Sequence, residues 1–451
     1  MNATDLANLD RDALIALIVT LQAEIEALKR SGKRQAAPFS KGTRKKDPKM
    51  PGRKPGQGLF KTREVPAPET LSEPPIDVPV VEPECPRCGG ELGETRVEEA
   101  SITDLPEVVR PRVRLFRVAV RRCKRCGATA RGRHPELATD RRGATSHRLG
   151  PRLLAAAHWL HDGLGVTVRK LPTLFETLLG VRLTRGAITR DALKKTTAAI
   201  GSTYQGLCDS IASAPFVHTD DTGWRQGGSP AWLMVFETDT ATVYQVRDRH
   251  RNEEVRERIP ADYAGVMITD RGKSYDAAEL AAVKTQKCLA HVQRSISAVL
   301  ETKSGKARWF ATWLKGLLQR ALALWHERRA GPPPPDLAVR VSRLKRAITD
   351  HLRDRVLRDR DNRRLLKELG RCHDSGSLVR FLDDASIEPT NNRAERALRP
   401  AVIARKVSQC TKNACGSRAF EAWTSVVRTL SRTATGPDLL NAIARLMLPN
   451  A

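Results

Sequence analysis

From Phe216 onward the apolar residues change from a helical period to the period of a strand, and the order of the segments that follow restricts the fold most. Phe216–Asp220, Ala231–Glu237 and Thr242–Val246 alternate and read as three consecutive strands. A charged helix near Glu253–Ile259, a strand over Val266–Asp270, a second helix and a short strand near Thr285–Leu289 follow. Strands interleaved with helices in this way predict an α/β core built on one sheet.

Three strands, helix, strand, helix, strand is the order of a ribonuclease-H-like core, and its acids suit that reading. Asp220 closes the first strand run and Asp270 the fourth, while Glu395 lies in Pro389-Thr-Asn-Asn-Arg-Ala-Glu-Arg-Ala-Leu-Arg399, a helix start. Two strand-end carboxylates and one helical carboxylate are what a two-metal phosphoryl-transfer site needs. Hard cations such as Mg²⁺, or Mn²⁺, take oxygen ligands and stabilise both the attacking and the leaving oxygen. Each acid also has a plain structural reading. An Asp after a strand commonly caps a turn, and Asp270 before Arg271-Gly272 suits one. Glu395 and Arg399 also form an i,i+4 pair worth roughly 0.3–0.5 kcal/mol when exposed. Glu388, in the loop before Pro389, is a rival ligand.

Alternation puts His218 on the face of Asp220 and Asp221 on the other. Helical spacing puts Asn391, Asn392, Glu395 and Arg399 on one side, an amide and guanidinium groups beside a carboxylate, with Arg396 and Arg399 suited to DNA phosphates. Cys288-Leu-Ala-His291 has a zinc-like spacing but no second pair nearby. His291 is either a group that orients a scissile phosphate or a satisfied core histidine.

The charge says what the chain meets. With 78 Lys and Arg against 51 Asp and Glu, the formal charge is +27, which favours a polyanion. The excess is clustered: Lys29–Arg63 holds thirteen basic residues and one acid, Asp47. No apolar run has the length of a membrane span and no signal peptide opens the chain, so cytoplasmic nucleic acid is expected rather than lipid. Seven Trp, nine Phe and four Tyr are too few to suggest a base-stacking platform for single strands.

The remaining segments read as separate units, giving a multidomain α+β chain. Residues 1–30 hold a leucine-zipper-like helix with Leu14, Ile18, Leu21, Ile25 and Leu28 alternating four and three apart, suited to self-assembly. Residues 31–83 are a basic linker rich in Lys, Pro and Gly, expected to be largely disordered, in which Arg53 and Lys54 lie in an extended Pro-Gly-Arg-Lys-Pro-Gly hook for DNA. Residues 84–135 carry Cys85-Pro-Arg-Cys88-Gly and Cys123-Lys-Arg-Cys126-Gly around a strand over Val113–Val120. That pattern predicts a zinc ribbon whose four thiolates close a structural Zn²⁺ site. Residues 146–214 show three helical patterns, Leu149–Leu164, Val168–Leu179 and Ile188–Ile211, either a helix-turn-helix-like DNA-binding unit or a helical linker. The catalytic region spans 215–410 with a helical insertion at 295–385, and 411–451 is a C-terminal helical region.

Over nearly its whole length the chain resembles the insertion sequence 66 family of bacterial transposases. The family's His-Ala-Asp-Glu-Thr is similar to His218-Thr-Asp-Asp-Thr222, and its Cys-x-x-His step to Cys288–His291. Its Asn-Asn-x-Ala-Glu-Arg-x-x-Arg-Pro is nearly intact as Asn391-Asn-Arg-Ala-Glu-Arg-Ala-Leu-Arg-Pro400. Asp270-Arg-Gly-Lys-Ser-Tyr275 matches the second-acid motif loosely, with Arg-Gly where the family has Gly-Tyr, and Asp221 replaces a Glu. The resemblance implies a DDE transposase with Asp220, Asp270 and Glu395 as catalytic acids, favours Glu395 over Glu388, and implies two Mg²⁺ ions. It further implies double-stranded DNA (element ends and target) as partner, a homo-oligomer, accessory proteins of the same element and a bacterial, nucleoid-associated location. A metal-dependent nuclease or resolvase on the same core, and a decayed zinc-ribbon DNA-binding protein, stay open beside it.

Overall fold

A computed structural model describes residues 10–15, 18–22, 67, 69, 71–132, 134, 149–353, 355–408 and 410–448. Arg53 and Lys54, and Ile25 and Leu28 of the N-terminal heptad, lie outside the described residues. Residues 11–15 and 18–22 are helical, and Ile15, Ile18, Val19 and Leu21 there are exposed.

Between the two Cys-x-x-Cys pairs the expected strand over Val113–Val120 is not formed. Only Val120–Arg122 (β1) and Thr129–Arg131 (β2) pair, antiparallel, around the second knuckle. Five of the eight residues from Val113 to Val120 are bulky and apolar, and Val113, Leu115 and Val120 among them are exposed, so these side chains face solvent instead of a partner strand.

The helical region begins with Pro151–His158 (α1), Leu171–Leu179 (α2), Arg185–Thr196 (α3) and Ala199–Ile211 (α4). Helix α1 runs on into a π turn over Trp159–Gly163. The pattern Ile188–Ile211 predicts one helix but breaks at Thr197-Ala198. There the Thr196 and Thr197 hydroxyls donate to the carbonyls of Ala192 (2.7 Å) and Lys194 (2.8 Å), bonds that compete with the helical ladder. A Cβ on Gly201 would lie 2.1 Å from the Thr196 carbonyl oxygen, so the two helices meet through a glycine.

The sheet follows as Phe216–Gln226 (β3), Ser229–Glu237 (β4), Thr242–Arg247 (β5), a short helix Asn252–Arg256 (α5), Val266–Thr269 (β6) and Lys284–Lys287 (β7). The helix expected between the last two strands is instead two 3₁₀ turns, Lys273–Tyr275 and Ala278–Leu280. Spatial order is β5-β4-β3-β6-β7, with β3, β4 and β5 antiparallel and β6 and β7 parallel to β3. Strand β3 does not end at Asp220. It continues for six residues as a hairpin with β4, through Trp224↔Ala231 to Gln226↔Ser229, and turns at Gly227-Gly228, both at positive φ. Its parallel pairing with β6, however, stops at Thr219↔Thr269.

Beyond the sheet come Leu289–Thr302 (α6), Trp309–Ala330 (α7), Leu337–Leu352 (α8) and Arg360–Asp374 (α9), which bury a common core of Val292, Ile296, Leu314, Leu318, Ile348 and Leu369. Asn392–Ser408 (α10), Ala414–Leu430 (α11) and Gly436–Met447 (α12) complete the chain. Helix α10 lies on one face of the sheet, its Ala394, Ala397, Leu398 and Ala401 packed on Leu233, Val235 and Tyr244. Helix α11 lies along the outer edge of β5. Its Thr429, Ser425 and Glu421, spaced four apart, accept hydrogen bonds from the outward N–H groups of Thr242 (3.0 Å), Tyr244 (2.8 Å) and Val246 (2.7 Å).

The far side of α11 carries the helical region. Trp423 stacks on His158 with ring centroids 3.6 Å apart, and the His158 ring nitrogens face Asp162 (3.4 Å) and Asp191 (3.1 Å). Burial works to lower the His158 imidazole, but its hydrogen bonds to both carboxylates and their charge raise it above its ordinary 6.5. A raised folded-state value gives stability that is full below the unfolded value and fades as pH climbs through the folded one. His158→Ala leaves two carboxylates without their cation, so urea unfolding should show a loss of about 3–5 kcal/mol. The gap between wild type and variant should narrow at alkaline pH.

Candidate active site

The ends of the parallel pairing set the site. Thr219, Thr269 and Lys287 are the last paired residues of β3, β6 and β7, so the next residues, Asp220, Asp270 and Cys288, form a row across three strands. The hairpin of β3 and β4 runs on past this row while β6 and β7 stop, which opens a notch at the carboxyl ends of the parallel strands. Such ends are where α/β sheets place their ligand sites.

Helix α10 closes the notch from above. Asn391, fully buried just before its first turn, donates through Nδ2 to the Thr219 carbonyl (2.8 Å) and through its backbone N–H to Cys288 Sγ (3.2 Å). The Leu289 N–H donates to the Pro389 carbonyl (2.8 Å) and the Cys288 N–H to the Thr269 carbonyl (2.7 Å). These bonds fix the first turn of α10 and of α6 against the strand ends, and so deliver Glu395 and His291 to the notch. His291 Nδ1 lies 3.8 Å and Arg294 3.5 Å from Glu395 Oε1. Arg396 and Arg399 are exposed along the outer stripe of the same helix.

Burial and like charge set the electrostatics together. Asp220 is pushed up to about 7, by burial first and then by the charges of Asp270, Asp221 and Glu395, against a lowering hydrogen bond from the Asp221 N–H. Asp270 accepts the Gly272 N–H (2.8 Å), the turn role foreseen for it, yet its charge still falls on Asp220. Burial and the Arg294 cation lower His291, keeping it neutral and able to act as a ligand or an acceptor. His291 Nδ1 and Glu395 Oε1 are buried without a hydrogen-bond partner. Crowded carboxylates and two unpartnered donor atoms facing each other fit a bound cation. Among the described residues, Cys288, His291 and Glu395 are the one group of three such side chains whose donor atoms lie within 4.8 Å of one another.

Two neighbours, His250 and Trp232, escaped the sequence pattern. Asp221 turns to His250 Nε2 (3.1 Å) and to the Tyr275 hydroxyl (3.5 Å), and His250 stacks on Trp232. Burial lowers His250, but the hydrogen bond and charge of Asp221 outweigh it and raise the imidazole. His218, fully buried behind Asp220, is held down at about 3 by burial and by the Arg393 cation. Arg271 ties the loop after Asp270 to Glu368 (2.7 Å), the His291 carbonyl (3.3 Å) and the Ser295 hydroxyl. Glu388 lies 3.9 Å from Arg393, itself paired to Asp239, and so belongs to a surface ion network.

The four cysteines form two separate knuckles. In each, a glycine at positive φ returns its N–H to the first cysteine carbonyl: Gly89 to Cys85 (2.8 Å) and Gly127 to Cys123 (3.0 Å). Backbone N–H groups of Arg87 and Cys88 lower the Cys85 thiol, and those of Cys126 and Arg125 lower Cys123, which favours thiolate. The structure does not bring Cys85 and Cys88 within ligand distance of Cys123 and Cys126.

Asn391→Ala removes the amide that satisfies Thr219. Denaturant unfolding should show a loss of about 1–3 kcal/mol.

No helix among the described residues is long and apolar enough to cross a membrane. No curated protein matches the chain. The model of the Transposase IS66 family, in contrast, matches residues 146–419, a stretch that contains the Asp220–Asp270–Cys288 row, His291 and the whole first turn of α10. With more than half of its 451 residues in that match, the chain belongs to the IS66 transposase family.

Proposed function

We propose that the chain is a DDE transposase that cleaves DNA at the ends of its element and joins the freed 3′-hydroxyl to a target. What supports this reading most is that the charges of Asp270 and Glu395 both bear on Asp220, buried where the parallel pairing of β3 with β6 ends. The strand order β5-β4-β3-β6-β7, with its antiparallel and parallel halves, supports a ribonuclease-H-like core over 215–410 with a helical insertion at 295–385. Two Mg²⁺ ions, or Mn²⁺, held by these carboxylates would supply charge stabilisation and a water or hydroxyl of lowered pKa. The chain's own residues do the rest. Neutral His291 orients the scissile phosphate, and Arg294, Arg396 and Arg399 hold the neighbouring phosphates. Asn391 keeps Glu395 in register with Asp220, so alignment and preset electrostatics lower the barrier.

The other segments take roles in holding DNA. Cys85, Cys88, Cys123 and Cys126 would bind one structural Zn²⁺ in a ribbon over 84–135, the low thiol values of Cys85 and Cys123 favouring the metal. Arg53 and Lys54 of the basic 31–83 linker and helices of 146–214 would contact phosphates, the zipper helix of 1–30 would assemble copies, and 411–451 would brace the core.

Strand transfer tests the reading. With Mg²⁺ and DNA carrying the element's ends, the purified chain, with any accessory proteins of the element, should give joined products. Asp220→Asn and Glu395→Gln should each lower cleavage by about 10²-fold or more, with DNA binding retained. Cleavage without joining would make the chain a nuclease, and full activity of either variant would remove that acid from the site. Cys85→Ser combined with Cys123→Ser should abolish bound zinc by elemental analysis; an unchanged zinc content would rule out the ribbon site.

A further inference from the structure

Helix α7 presents two tryptophans to solvent. Trp309 is 70 % exposed and Trp313 60 %, whereas the other five of the chain's seven tryptophans are buried or half-buried. Neither is needed to seat the helix. Its opposite face buries Phe310, Leu314, Leu317, Leu318 and Ala321 in the core shared with α6, α8 and α9. Trp309, Trp313, Gly316 and Arg320 fall four, three and four apart, so they form one solvent stripe, and nothing lies within 4 Å of a Cβ placed on Gly316. The stripe is a flat aromatic surface next to an open step.

Its rim is basic. Lys306, Arg308 and Arg320 are exposed, and no acid lies between Lys306 and Arg320. Aromatic faces between guanidinium and ammonium groups match a nucleic-acid strand with unstacked bases: the cations meet phosphates and the indoles stack on bases. Two indoles suffice for that, although the chain as a whole is poor in aromatics.

The stripe also lies at a useful distance. Helix α6 leads away from His291, and α7 returns along it, with Lys315 Nζ donating to Ser297 Oγ (3.1 Å). Along the axis Trp313 and Trp309 are therefore about 10–20 Å from His291 at 1.5 Å per residue. At about 3.4 Å per nucleotide along a strand, that is roughly three to six nucleotides from a phosphate at Glu395.

We infer that Trp309 and Trp313 form a base-stacking platform for unpaired nucleotides beside the cleavage site. The inference rests on the DNA-processing reading given above and names where locally opened DNA is held. Stacking trades base–base for base–indole contact, which lowers the cost of opening the duplex next to the reacting phosphate.

Equilibrium binding of the full chain tests it, with a 40-base-pair duplex and the same duplex carrying four unpaired adenines as probes. Wild type should favour the opened probe and show indole emission quenched by it. Trp309→Ala combined with Trp313→Ala should lose that preference by roughly 5- to 100-fold, with unchanged duplex affinity and an unchanged circular dichroism melt. The Phe pair at the same positions should keep most of it. An undiminished preference in the Ala pair would overturn the platform. So would a fall in oligomer mass with both affinities unchanged, which would make the stripe a contact between copies. Glu395→Gln leaves this readout intact, so failure of the platform and failure of the catalytic reading are told apart.

Discussion

Asp220 is buried and feels the charges of Asp270, Asp221 and Glu395, so it must be held in place by something other than those charges. The holding is done by backbone. The parallel pairing of β3, β6 and β7 ends on one level, which fixes Asp220, Asp270 and Cys288 side by side. Helix α10 is pinned to that level by the buried Asn391 amide on the Thr219 carbonyl, and α6 by the Leu289 bond to Pro389. Arg271 adds a third tie, from the Asp270 loop to α6 and α9. The Asn391 bond, made between buried groups, costs most when broken. Burial first and like charge second raise Asp220, and a cation entering the notch would offset both.

Much of this was legible in the chain because the periods are clean. Five strands were read at the right places, and the acids stood out because two closed strand runs and the third opened a helix. The errors are of one kind: the sequence shows period but not partner. Asp220 looked terminal because Thr222-Gly-Trp-Arg breaks the apolar run, yet Trp224 is buried and β3 continues as a hairpin that only β4 sustains. The step from Asp270 to β7 has helical composition, but buried Tyr275 and Leu280 anchor it in two short turns. His250 could not be found from spacing at all. It reaches Asp221 across β4 and β3, through a stack on Trp232 that exists only once the sheet is formed.

The helices beyond β7 divide their labour by face. One side of α7 supplies the core shared with α6, α8 and α9, and its outer side leaves Trp309, Trp313 and Arg320 exposed. The same division appears in α10, whose Ala and Leu residues lie flat on the sheet while Arg396 and Arg399 stand outward. Small residues on the inner side bring that helix backbone close to the strands. Glu395 thereby reaches the notch from a helix that lies across the sheet.

The edge of β5 has a consequence of its own. A sheet edge with free N–H groups is a template onto which any extended chain can zip. Here Thr429, Ser425 and Glu421 occupy three such groups in succession, so α11 acts as a selvedge that keeps the cloth from being stitched to another. Along β5, at least three rungs of that margin are closed to any extended chain, whether another copy or a nascent strand.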